Sequence, residues 1–244
     1  MNQVHGFFLN MMEPDMSIEP IVDNLLKTYD TTAVIFDLDG TLIDNNAYHL
    51  KTWKKYLENM GIDITEEEYR QNINGRTNKD ALEYIYGRKM SDEEAMGFAL
   101  EKEALYRDIY KKDIKPVDGL LELLETLDKR NIPMAIATSG IQVNIDFMFE
   151  HIPMKQYFKV IVNSSHIKKG KPDPEIYIKV SSLLGIPAQK CLAFEDAAVG
   201  IESARSAGMK VIALTTTQTK EELKKADLII KDFTAFSFQA STQV

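Results

Sequence analysis

A single cysteine, Cys191, stands among 244 residues, so no internal disulfide can form and the thiol usage fits a reducing compartment. It sits in the apolar run CLAF and reads as a packing residue. Histidine is almost as scarce: the four, at 5, 49, 151 and 166, have no ligand spacing, which excludes a histidine-built metal centre. No apolar run approaches the roughly 18 residues that span a bilayer. The short apolar patch Gly6–Leu9 has no basic stretch before it and runs into Glu13, Pro14 and Asp15, which is wrong for a signal peptide. Residues 1–16 read as a disordered leader, or as an overlong start with Met16 the true first residue. Positive charge is in deficit, with 29 Lys and Arg against 37 Asp and Glu and a net charge of -8, which argues against a nucleic-acid partner. Nucleotide-binding glycine loops, a GxSxG elbow and HExxH are all missing. What these absences leave is a cytoplasmic protein with neither membrane nor nucleic acid as partner.

What is present is ordinary globular material, 44% hydrophobic and 27% charged. The length suits one sizeable domain, or a core carrying a smaller insert. Ser17–Tyr29 has helical spacing, and the strand Ala33–Phe36 follows. From Ala47 to about Lys112 the spacing is helical throughout, without proline, and Thr65-Glu-Glu-Glu and Ser91-Asp-Glu-Glu look like helix starts. Beyond Gly119 helices and short apolar strands alternate: strands are expected at Met134–Ala137, Lys159–Val162, Cys191–Phe194, Lys210–Leu214 and Asp227–Ile230. Helices are expected at Leu120–Asn131, Gln142–Glu150, Pro174–Leu184, Val199–Ala207 and Lys220–Lys225. This is an α/β pattern, a Rossmann-like parallel sheet covered on both faces. The expected division is a core of 17–44 plus 115–244 with an α-helical cap at 45–114.

The stretch AVIFDLDGTLIDNN, residues 33–46, places Asp37 and Asp39 on one side of the chain where a buried strand runs out. Two carboxylates at about 4 Å repel by roughly 4 kcal/mol at a surface-like dielectric. Such a pair persists where a cation or a reaction uses it. In open α/β sheets ligands sit beyond the carboxyl ends of the strands, and those ends also carry Thr138-Ser139-Gly140 and Glu195-Asp196. Singly these are turn formers and helix caps. Jointly they converge, and several carboxylates in one crevice call for a hard divalent ion with oxygen ligands, Mg²⁺. In GKPDPE, Pro172 holds Lys171 in extended backbone and Asp173-Pro174 opens a helix, so a lysine leaves a rigid corner opposite the acids. An ammonium there, with hydroxyls and backbone N–H groups at Thr138-Ser139-Gly140, can hold a phosphate.

The ordered motifs DLDGT (37–41), IATSG (136–140), GKPDPE (170–175) and FEDAAVGI (194–201) resemble those of the haloacid dehalogenase superfamily over about residues 31–233. The helical insert resembles the small cap of its β-phosphoglucomutase-like subgroup. The resemblance implies that Asp37 is the nucleophile and Asp39 the acid and base, and that Thr138, Ser139, Gly140 and Lys171 hold the phosphoryl group. It implies Mg²⁺ on Asp37, the carbonyl of Asp39 and Asp196, with Glu195 beside or on it. Asp39 must start protonated, and neighbouring carboxylates are expected to raise its pKa. For the cap it implies that His49 and Trp53 in DNNAYHLKTW, Gly75 and Asn78 in NINGRTNKDA, and Lys102 in EKEALY face the substrate. Trp53 and Lys102 also have plainer readings, as cap core and as solvated surface. One position departs from the pattern: Asn78 stands where the mutases carry an arginine that grips the distal phosphate. The expected activity is therefore a Mg²⁺-dependent phosphatase of small phosphorylated metabolites, sugar phosphates above all, acting as a monomer or weak oligomer. The alternative is a β-phosphoglucomutase.

Overall fold

Side chains alternate between two apolar layers along the central strands. In β1 (Ala33–Phe36), Val34 and Phe36 enter one layer, and Ala33 and Ile35 enter the other. The same parity holds in β2 (Met134–Ala137), β4 (Cys191–Glu195) and β5 (Lys210–Leu214). One layer is bulky, with Phe36, Met134, Phe194 and Leu214; the other is lined by Ala33, Ala135, Ala193 and Ala213 and lets helices approach closely. The structure is a computed structural model that describes residues 18–236. The expected leader at 1–16 lies outside the described residues.

With β3 (Phe158–Val162) and β6 (Leu228–Ile230), the strands form one parallel sheet in the order β3-β2-β1-β4-β5-β6. Order reverses on either side of β1, which creates the crevice where ligands bind in such sheets. Helices α1 (Glu19–Thr28), α6 (Leu120–Lys129) and α7 (Gln142–His151) cover the bulky face. Helices α8 (Glu175–Leu184) and α9 (Ala198–Ser206) cover the small one.

The chain leaves the sheet after Ile43 and returns at Pro116, and Val117 N–H donates to the Leu42 carbonyl at 3.0 Å, so exit and return lie side by side. Between them run α2 (Asn46–Glu58), a short α3 (Glu66–Glu68), α4 (Asn78–Tyr86) and α5 (Asp92–Tyr110). Thr65 and Glu68 form a reciprocal capping box, and Ser91 caps α5 above the acidic turn Asp92–Glu94. A π-helical turn, Tyr69–Ile73, follows α3. Trp53, Leu57, Ile64, Ile73, Leu82 and Met90 give this segment an apolar cluster of its own. Tyr106 and Tyr110 of α5 belong instead to the sheet's bulky layer, so one long helix ties the two together.

The helix expected at Lys220–Lys225 is not formed; the segment is a series of turns. Thr219 accepts from Glu222 N–H, and Leu223 N–H reaches the Thr219 carbonyl, but the chain enters β6 before a second turn can propagate. Helix α8 begins at Glu175, with Asp173 accepting from the Glu175 N–H at 3.0 Å.

Candidate active site

Parallel register brings distant acids together. Phe36 pairs with Ile136 on one side and Phe194 on the other, so Asp37, Ala137 and Glu195 leave the sheet abreast. Strand parity turns Asp37 and Glu195 to the small-residue face, where α8 packs and the loop before it delivers Lys171. Lys171, 1% exposed, donates to Asp37 Oδ1 and Glu195 Oε1 at 2.6 Å each and to the Ala137 carbonyl at 3.2 Å. The Tyr177 hydroxyl of α8 also donates to Glu195. Asp196 accepts from Asn46 Nδ2 at 2.9 Å and from the Thr217 hydroxyl. Only glycine fits at Gly40: its φ is +76°, and a Cβ there would stand 2.2 Å from Asp196 Oδ2.

Oxygens of Asp37, Glu195 and Asp196, all buried, lie within 4.8 Å of one another. Among the described residues Lys171 is the lone cation bonded to this group, and its pKa is raised: burial opposes its charge, but Asp37 and Glu195 outweigh burial. Burial also holds Asp37 well above the usual carboxylate range against the pull of Lys171. Asp196 is pushed up to about 8, by burial first and by the Glu195 charge next. An all-oxygen set of three carboxyl groups against one ammonium is the donor chemistry of a hard divalent cation. The Asp39 side chain is not part of this cluster.

Asp39 faces the helices inserted between Ile43 and Pro116. Its Oδ1 accepts from Asn45 Nδ2 at 2.5 Å and lies 3.3 Å from His49 Nε2. Burial raises its pKa, but His49 and the Asn45 hydrogen bond outweigh burial, so the carboxyl sits below its ordinary range. The net rise expected from neighbouring carboxylates is not found: Glu103 does push the Asp39 pKa upward, but His49 and Asn45 outweigh it together with burial. Asn45 also accepts from Gly40 N–H at 3.0 Å and donates to the Tyr106 hydroxyl at 2.7 Å. The Tyr106 ring stacks on His49 at 4.0 Å.

Above the two aspartates lies a cavity of about 50 Å³ whose wall includes His49, Gly75, Asn78, Lys102, Ser139 and Gly140. Engineered cavities of about 150 Å³ admit benzene, so this one has room for a few waters and is smaller than a sugar. Gly75 closes it: its φ is +74°, a Cβ would lie 2.8 Å from Val199, and its carbonyl accepts from Ser139 Oγ at 2.8 Å. Thr138 is fully buried and accepts from Gly140 N–H at 2.9 Å, so that N–H is already engaged. Trp53 does not reach the wall. It is packed in the inserted segment's own apolar cluster, with the Lys102 ammonium 4.6 Å above its ring, one turn further along the same face of α2 than His49.

Sequence reasoning passed over Asn45, Asn46, Glu103, Tyr106 and Asn144. Glu103 is 2% exposed; it accepts from Lys102 at 2.7 Å, Asn78 at 2.9 Å and Asn144 Nδ2 at 2.7 Å. Burial raises its pKa, but Lys102 chiefly brings it down to about 2. The available signals were adjacency: Asn45-Asn46 follows DLDGT closely, and Glu103 adjoins Lys102.

A family model described as haloacid dehalogenase-like hydrolase matches residues 34–214. Validoxylamine A 7'-phosphate phosphatase of Streptomyces hygroscopicus subsp. limoneus is 30% identical over 207 residues, 82% of this chain and 93% of that protein. Beta-phosphoglucomutase of Bacillus subtilis (strain 168) is also 30% identical, over 82% of this chain and 88% of its own length. A solved haloacid dehalogenase (HAD) hydrolase, family IA, variant 3, from Entamoeba histolytica superposes with a TM-score of 0.75 at 39% identity, covering 84% of this chain and 95% of that one. The chain is an enzyme of phosphoryl transfer, a phosphatase or phosphotransferase, and belongs to the haloacid dehalogenase-like hydrolase family.

Proposed function

We propose that the protein is a Mg²⁺-dependent phosphatase of small sugar phosphates, with residues 45–114 as a cap over the core. The observation that carries this reading is the convergence of Asp37, Lys171, Glu195 and Asp196 at one strand edge, with Asp39 hydrogen-bonded on the cap side. Asp37 attacks phosphorus, forming an aspartyl phosphate as the bond to the ester oxygen breaks. Asp39 gives its proton to the departing alkoxide. The substrate's phosphoryl charge, arriving beside Asp39, favours the protonated form that this step needs. Once ionised, Asp39 takes a proton from water, which attacks phosphorus and frees Asp37 and inorganic phosphate. The pull of His49 and Asn45 toward the carboxylate suits that second half. Lys171 neutralises the transferring group and the Thr138-Ser139-Gly140 turn orients it, the Ser139 hydroxyl and Gly140 N–H exchanging their bonds to Gly75 and Thr138 for phosphoryl oxygens; neutralising and orienting are where most of the catalysis in phosphoryl transfer lies.

Asp37, Asp196, Glu195 and the Asp39 carbonyl would hold Mg²⁺, which supplies charge neutralisation at the phosphoryl oxygens. Glu195 already accepts from Lys171 and Tyr177, so its part is to orient as much as to ligate.

A second reading is a β-phosphoglucomutase, which passes the phosphoryl group to a sugar hydroxyl. Two observations keep it: Lys102 and His49 are on the cavity wall, and the Arg76 side chain, also on that wall, has no ion-pair partner among the described residues. Against it, Asn78 brings no charge where the mutases carry arginine. The relatives include both activities, the validoxylamine phosphate phosphatase and the mutase described above. Incubation with β-glucose 1-phosphate and Mg²⁺ separates the readings. Free phosphate supports the phosphatase; glucose 6-phosphate in excess of phosphate reverses the ranking.

A further inference from the structure

The cap's side of the cavity holds more polar atoms than the phosphoryl chemistry uses. Lys102 and Glu103 of α5 pair at 2.7 Å, both 2% exposed, and Asn78 of α4 donates to the same carboxylate. Among the described residues, the only fully buried ammonium on the wall is thereby committed to a carboxylate. The Glu103 charge is permanent at physiological pH. A carboxylate offers about four acceptor positions; Lys102, Asn78 and Asn144 occupy three, which leaves one for a ligand. On the same wall Asn74 is 5% exposed, and its Nδ2 has no hydrogen-bond partner. An unmet buried donor is costly unless a ligand meets it.

We infer that this wall, Lys102–Glu103 with Asn78 and Asn74, is a net-neutral subsite that reads hydroxyl groups and selects monophosphates whose far end is an uncharged polyol. The inference rests on the phosphoryl-transfer reading of the site and deepens it. A hydroxyl both donates and accepts, so a polyol can give a proton to Glu103 and elsewhere along the wall receive the Asn74 N–H. A second phosphate or a carboxylate only accepts. It would face the Glu103 charge, and Lys102 could turn to it only by leaving Glu103 buried without its counter-ion. Arg76 is the remaining cation on the wall, partly exposed at the rim. It is the route by which an anionic far end could still be held.

Binding is measured by calorimetry with Mg²⁺ on the full chain carrying Asp37→Asn, so that selectivity is read whether the native enzyme hydrolyses or isomerises. The probes are a hexitol 6-phosphate and a hexose 1,6-bisphosphate. The expected result is at least tenfold tighter binding of the hexitol monophosphate. Adding Glu103→Gln or Asn78→Arg raises the wall's charge by one, and either is expected to narrow the preference at least fivefold. Using both variants guards against one failing to fold, which a thermal melt reports. Equal or tighter binding of the bisphosphate overturns the inference, and its loss on Arg76→Ala would name the cation responsible. Failure to bind either probe overturns it as well. Phosphate release by the native enzyme is assayed in parallel. Selective binding without any release would leave the subsite standing and remove the phosphatase reading; release without selectivity does the reverse.

Discussion

Replacing Lys171 by methionine tests whether one lysine counterbalances the acidic cluster. The side chain is 1% exposed, and its ammonium makes 2.6 Å contacts to Asp37 and to Glu195, themselves buried. Methionine keeps most of the volume, so the cavity penalty is small and the loss is electrostatic. Removing one partner of a buried ion pair costs about 3–5 kcal/mol, because the other charge stays behind without compensation. Here two carboxylates are left, but they can take up protons, so a loss of about 3–5 kcal/mol is expected at pH 7 in chelator.

The pH dependence follows from the directions of the shifts. Lys171 has a raised pKa, so its contribution is complete below the ordinary lysine range and does not change between pH 5 and 7. Its partner Asp37 already binds a proton more readily than in an unfolded chain, and loses the opposing pull of Lys171 in the variant. Protonation of the cluster thus relieves the variant more than the native protein as pH falls. The deficit should shrink by at least half between pH 7 and pH 5. Urea unfolding at both values, followed by circular dichroism, gives the two differences. A loss below about 1 kcal/mol at pH 7, or one unchanged at pH 5, would refute the assignment of Lys171 as counter-charge. Phosphate release should fall at least a hundredfold in the same variant with saturating Mg²⁺.

Asp37→Asn keeps the size and should abolish phosphate release while shifting the melting temperature by only a few degrees; residual turnover above about 1% would mean that another group attacks. Asp39→Asn should also inactivate, and full activity in it would remove the acid–base role. Chelation should abolish turnover, and turnover that survives exhaustive chelation refutes the metal assignment. Asp196, with a folded pKa pushed up to about 8, is a raised carboxylate, so metal-free stability declines as pH climbs from its unfolded value toward 8. Mg²⁺ must displace that proton, so the Mg²⁺-induced rise in melting temperature should be larger at pH 8 than at pH 6, and an equal or smaller rise at pH 8 counts against it. Asn78→Arg should raise the ratio of glucose 6-phosphate formed to phosphate released from β-glucose 1-phosphate, since a guanidinium can grip a second phosphate through paired charge-assisted bonds. A native ratio that is already high would show that Arg76 or another group supplies that grip.

The sheet was legible because its information is local. Four-residue apolar runs ending in polar residues appear in the sequence as they appear in β1 and β2, and period-2 parity alone turns Asp37 toward the face that receives Lys171. Helix starts at Thr65 and Ser91 were legible for the same reason, since a cap and its N–H partner lie three residues apart. Cross-chain partners were not. The bond from Asn45 to Tyr106 depends on the phase of α5, and that from Asn144 to Glu103 on how α7 meets α5, and neither phase is written in spacing. Trp53 shows the same limit in reverse: His49, four residues before it, lines the cavity, but one helical turn moves Trp53 into the apolar cluster of the inserted helices. The pKa of Asp39 was misjudged because sequence proximity to Asp37 says nothing of His49, ten residues on, folding back over it.

The size of the closed cavity bears on which acceptor meets a phosphorylated Asp37. With Gly75 bonded to Ser139 and Asn46 bonded to Asp196, cap and sheet meet through contacts to residues of the site itself. About 50 Å³ remains between them. After the alcohol leaves, a cap that returns to this position leaves room for water and excludes a second sugar. A mutase needs the opposite: its intermediate has to stay, or turn, within the closed site, and that takes both volume and a distal cation. The wall here offers an ion pair already satisfied within itself, Lys102 with Glu103. On the proposed phosphatase reading, volume and charge act in the same direction, toward release of the alcohol and attack by water. The two supports are independent, since one follows from backbone approach at Gly75 and the other from side-chain chemistry on α5.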